Sequence, residues 1–218
     1  MADKLISTFS ASEFKPLAMF LTAQAYELKN DEVKMEVWCE KTIEIDPKNY
    51  ECMLMIAGGV AKHSRDTDLD LNEEIARSEK FAKAALDTLK DAAKPDVLML
   101  QSMSDDQWAA TKKDLVAQAH EAFALNAALR KKYDVAIAEY KQAIEGAAKP
   151  DPATMVRLGQ TYNLARMPDE AIAILDKVMA DPGVHPQIRQ VAQAERVRAI
   201  QAKGAATPAT PPPAAPKQ

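Results

Sequence analysis

Asp66, Asp68 and Asp70 alternate along the chain, and alternating carboxylates are how a calcium loop begins. Such a loop also needs glycine at its sixth position for a sharp turn and a bidentate glutamate at its twelfth. Counted from Asp66, those positions hold Leu71 and Arg77. The acidic run is therefore expected to open a helix, where carboxylates face the positive end of the dipole. His63, His120 and His185 belong to no HExxH or nucleophile–histidine arrangement. His120 falls at a helix seam, where a packed core role is expected. Gly58-Gly59 stands alone inside a helical segment and builds no phosphate loop. Cys39 and Cys52 lack zinc-ligand spacing and are too few for a disulfide framework, so both are expected to be buried and reduced. No catalysis, no metal and no cofactor follows from these residues.

The elements that would carry such residues are helices. The 218 residues are 47% hydrophobic with only six glycines, and alanine, leucine, lysine, glutamate and glutamine dominate the middle of the chain. A net charge of -4 gathers no phosphate backbone, so nucleic acid is not an expected partner. No apolar run approaches the roughly 20 residues that cross a bilayer, so membrane insertion is not expected. The chain reads as soluble, either cytoplasmic or exported after loss of a signal peptide.

Helix punctuation is explicit. A helix beginning near Asp31 is ended by Pro47, and Asn49 caps the next. An insertion from Ser64 to Leu69 precedes a capping-box signature, Asp70 with Glu73. A second insertion, Asp91 to Met103, precedes another, Ser104 with Gln107. From Ser104 the helical pattern runs to about Arg130, on the order of 40 Å at 1.5 Å per residue. Trp108 lies on the first turns of this helix, beyond any obvious neighbour except Leu98, Met99 and Leu100.

Two neighbouring segments repeat one pattern. The first is His120-x2-Phe123-Ala124-x2-Ala127, then Tyr133 and Ala136-x3-Tyr140-x2-Ala143. The second is Met155-x2-Leu158-Gly159-x2-Tyr162, then Ala171-x3-Leu175-x2-Val178. Ala136 and Ala171 lie 35 positions apart. Small residues at Ala124, Gly159, Ala136 and Ala171 would let two helices approach, while the large ones fill the seam. Met19-x2-Thr22-Ala23-x2-Tyr26, followed by Glu44-Ile45-Asp46-Pro47, is a weaker copy, and the segment from Asn49 starts a fourth, irregular one.

The pattern resembles the tetratricopeptide repeat family, whose period is about 34 residues. The resemblance implies an all-α solenoid of antiparallel helix pairs wound as a right-handed superhelix over residues 1–203. Its repeats would lie near 16–49, 50–89, 117–150 and 152–182, with a capping helix over 186–202. The proline- and alanine-rich segment 204–218 is expected to be a disordered tail.

It also implies a concave groove lined by the first helix of each pair. Here that face would hold Phe20, Gln24 and Glu27, then Leu54, Gly58 and Lys62, then Glu121, Leu125 and Leu129, then Val156, Arg157, Gln160 and Asn163. The lysine and asparagine clamp with which some family members grip a carboxylate tail is missing, and only Arg157 keeps an expected cation. The implied function is a non-enzymatic adaptor that holds another protein or peptide mainly by apolar contact. The alternative is a structural subunit, monomeric or weakly self-associating, that pairs through helix 104–130 and Trp108.

Overall fold

A computed structural model describes residues 14–94 and 103–206 and is all-α, with no strand among those residues. The helices are α1 (Lys15–Glu27), α2 (Glu32–Ile45), α3 (Tyr50–His63), α4 (Leu71–Lys90), α5 (Asp105–Leu129), α6 (Tyr133–Gly146), α7 (Pro152–Leu164), α8 (Pro168–Ala180) and α9 (Pro186–Ala206). Leu98, Met99 and Leu100, and the tail from residue 207 onward, lie outside the described residues.

The helix ends follow local chemistry. Asn49 Oδ1 accepts from the Cys52 amide at 3.0 Å, and Asp31 Oδ1 accepts from the Lys34 amide at 3.3 Å, each satisfying an orphan donor of a first turn. Ser104 and Gln107 exchange side-chain and backbone hydrogen bonds at 3.1 and 2.8 Å, the reciprocal box expected for the long helix. The box expected at Asp70 does not form. Asp70 is nearly helical itself (φ -100°, ψ 10°), which directs its carboxylate away from the first-turn amides. Asp68 instead folds the preceding loop, its Oδ2 accepting from the Arg65 amide at 2.7 Å. The last helix runs to Ala206, four residues past the expected end.

Three helix pairs share one turn. Asn30, Lys131 and Arg166 have φ of 54°, 58° and 59°. In each turn the next residue's amide bonds five residues back, Asp31 to Tyr26, Lys132 to Ala127 and Met167 to Tyr162, while the left-handed residue bonds three back. This is the Schellman closure, which satisfies the last carbonyls of a helix and reverses the chain. The α3–α4 connection, which carries the 64–69 insertion, lacks it.

The chain divides into two compact units between Thr154 and Met155, within the first turn of α7. In the first unit, consecutive helices pack as neighbours, and α5 packs against both α3 and α4. One core joins α1, α2 and α3 around Met19, Phe20, Met35, Trp38, Cys39, Cys52 and Ile56. A second joins α3, α4 and α5 around Met53, Leu54, Ala57, Ala82, Leu89 and Ala122. A buried polar chain crosses it: Asn126 Nδ2 donates to Ser78 Oγ at 2.8 Å, which donates to the Ala57 carbonyl at 2.8 Å. In the second unit, Val156, Leu175, Val178, Val184 and Ala192 form the core.

Candidate binding cleft

The α5 residues Asp114, Ala117, Gln118 and Glu121 recur at i, i+3, i+4 and i+7, so they share one helical face. Opposite them stand Lys62 at the end of α3, Ala143 and Ile144 on the last turn of α6, Ala147, Lys149 and Asp151 on the following link, and Thr154 on the first turn of α7. Together they line a cleft of about 410 Å³ within the first unit.

The link that forms its rim is held from below. Asp114 Oδ1 accepts from the amides of Ala148 and Lys149 at 2.8 and 3.2 Å. Asp151 accepts from the Ala153 amide at 3.1 Å and from the Thr154 hydroxyl at 3.3 Å, which starts α7. Two of the cleft's carboxylates are thus used to shape it. Lys62 and Lys149 are exposed, and the Lys62 ammonium lies back over Gly58. Ala117, Ala143 and Ile144 supply an apolar lining. The cleft thus sets small apolar patches between exposed ammonium and amide groups.

Lys62 and Glu121 of the expected groove both line this cleft; the other groove residues lie elsewhere. Phe20, Leu54 and Val156 are 8%, 5% and 5% exposed and belong to the cores, because helices this close need large side chains in their seams. Leu125 is half-buried against the core of α3, α4 and α5, so an acidic substitution there would damage the fold before it reported on binding. Leu129, Gln24 and Arg157 are half-buried and Glu27 is exposed, none of them lining the cleft. Gln160 and Asn163 are spent inside the second unit. Asn163 Nδ2 donates to the carbonyl and to Oε2 of Glu195 on α9, both at 3.0 Å, and Gln160 Nε2 reaches Glu195 Oε1 at 3.5 Å. With Arg198 also donating at 3.0 Å, they hold a carboxylate that α9 buries to 7% exposure.

Trp108 has a neighbour after all. It is half-buried, its ring 6.4 Å from that of Tyr50 at 44°. Burial pushes the Tyr50 hydroxyl up to about 12, with help from Glu51 and Asp46. His120 is not an apolar packing residue: its Nδ1 lies 2.7 Å from Glu139 Oε2, linking α5 to α6. His63 pairs with Glu32. Asp66 faces Lys131 at 3.7 Å, and Arg77 bridges Glu36 and Glu40 of α2 at 2.7 and 2.8 Å. Among the described residues, no three His, Cys, Asp or Glu side chains converge on one point. No helix of the described chain is long and apolar enough to cross a membrane.

Asp114, Ala117, Gln118 and Lys149 were not among the expected site residues. The repeat template starts near position 117 and does not cover Asp114, and it does not describe the link after α6. Compared with known proteins, the sequence matches no family model and no curated protein.

Proposed function

We propose that the chain is a tetratricopeptide-type adaptor that holds a segment of a partner protein in the cleft between α3, α5 and the α6–α7 link. The observation that carries this reading is the cleft itself, which Lys62 and Glu121 both line and whose rim is fixed by Asp114. The shared Schellman turn of three helix pairs supports the repeat assignment, since one closure at corresponding places is what a repeated helix pair requires. Recognition rests on shape and apolar contact, with Lys62 and Lys149 orienting the segment.

A photo-crosslinking residue at Gln118, with the same residue at exposed Lys80 on α4 as reference, tests it in the native host. The expected result is a discrete adduct from Gln118 that Lys80 does not give and that Ala117→Arg suppresses. Equal adducts from both positions, or insensitivity to Ala117→Arg, would remove the cleft as the binding site.

A further inference from the structure

The core of the first helix pair contains an unusual gathering of sulfur. Cys39 Sγ lies 3.8 Å from Met35 Sδ on its own helix and 3.9 Å from Met55 Sδ on α3. Cys52, also on α3, packs in the same cluster and interacts with the Cys39 thiol. Cys39 and Cys52 are free and fully buried, Met35 is 1% exposed, and Met55 is half-buried at the cluster's edge.

We propose that this cluster is a binding site for the soft monovalent cation Cu(I), held by the Cys39 thiolate and the thioethers of Met35 and Met55, with Cys52 as a hydrogen-bonding neighbour.

Ligand class and spacing both support it. Thiolate and thioether sulfur select Cu(I) over the harder ions. Three sulfurs around one ion at about 2.3 Å would stand about 4.0 Å apart, close to both separations measured from Cys39. Charge decides which groups bind. One thiolate cancels one positive charge, so the Cu(I) complex is neutral in a dry core; a divalent ion would need both thiolates for the same balance, and the two thioethers are what favour Cu(I) over it. Binding breaks the Cys39 S–H bond, forms a Cu–S bond and sends one proton to solvent; no electron moves. The thioethers donate lone pairs without losing a proton, and the Cys52 S–H can donate to the new thiolate. Half-buried Met55 gives the ion its route in.

The groups facing Cys39 are Glu27 from α1, Glu36 from α2 and Cys52 from α3. All three, with burial, disfavour the thiolate, so the ion competes with a tightly held proton.

The test is an anaerobic titration of the full chain with Cu(I) buffered by a chromogenic chelator. One ion should be retained and one proton released per chain. Met35→Leu and Met55→Leu keep the core's shape and should each lower affinity about tenfold or more, while Cys39→Ala should abolish retention. Circular dichroism checks each variant's fold; if Cys39→Ala does not fold, the two leucine variants decide. Failure to retain Cu(I), release of two protons, or leucine variants that bind like the parent would overturn the proposal.

Discussion

The same substitution should have opposite effects at two glycines. Gly58 in α3 and Gly159 in α7 both lie inside helices, and neither needs positive φ. A Cβ on Gly58 would meet only the Lys62 ammonium at 3.8 Å, an ordinary contact with a mobile tip. Gly58→Ala should therefore gain the helix-propensity difference, about 0.8–1 kcal/mol. A Cβ on Gly159 would sit 2.7 Å from both Cγ and Cδ2 of Leu175. Leu175 is fully buried among Val156, Val178 and Ala192, so relief requires α7 and α8 to separate by about 1 Å. Overpacking of this kind costs about 1–3 kcal/mol. The propensity gain is common to both variants and cancels in their difference, which leaves the overpacking cost alone. The two alanine variants should differ by about 1–3 kcal/mol, or a gap in Tm of roughly 2–12 °C for a chain of this length. Thermal unfolding followed by far-ultraviolet circular dichroism measures it. If Gly159→Ala were stabilised as much as Gly58→Ala, the close approach of α7 and α8 would be refuted.

Ser78→Ala should cost about 1–3 kcal/mol in urea unfolding, because it leaves the Asn126 amide without its partner in the core and removes the second bond to the Ala57 carbonyl. Adding Asn126→Leu should restore part of that loss; strictly additive costs would show that the two side chains are not coupled. Tyr50 keeps its proton in the folded state up to about pH 12, while an unfolded tyrosine loses it near pH 10. Between those values the folded state binds more protons, so stability falls as pH rises from about 10 to 12. Tyr50→Phe should flatten that fall in alkaline denaturation curves. Cys39 and Cys52 should resist a thiol reagent in the native, metal-free protein and react with two equivalents after denaturation.

Much of the fold was legible because it is written in strong local signals. Asn49, the Ser104–Gln107 pair and Pro47 mark helix ends by chemistry that acts within a few residues, and the structure places the ends there. Asp70 carries the same kind of signal and fails, because its backbone conformation depends on how Asp68 folds the loop before it. The turns within the helix pairs carried no glycine to reveal them. Lys131 and Arg166 adopt left-handed φ at a cost of about 1–2 kcal/mol each, and only the packing of the helices they join offsets it.

The candidate site was less legible, for a reason visible in Leu54 and Gly58. Both lie on the face that a repeat template assigns to the groove, one helical turn apart on α3. Leu54 is drawn into the seam with α4 and α5, while Gly58 stays open beneath Lys62. Helical periodicity separates a buried face from an exposed one, but it does not set where a neighbouring helix ends. Here α6 ends at Gly146, and the two amides that Asp114 captures turn the following link across the open face of α5. The rim of the cleft is fixed where a carboxylate on α5 meets the link after α6, and the template describes neither of those two positions.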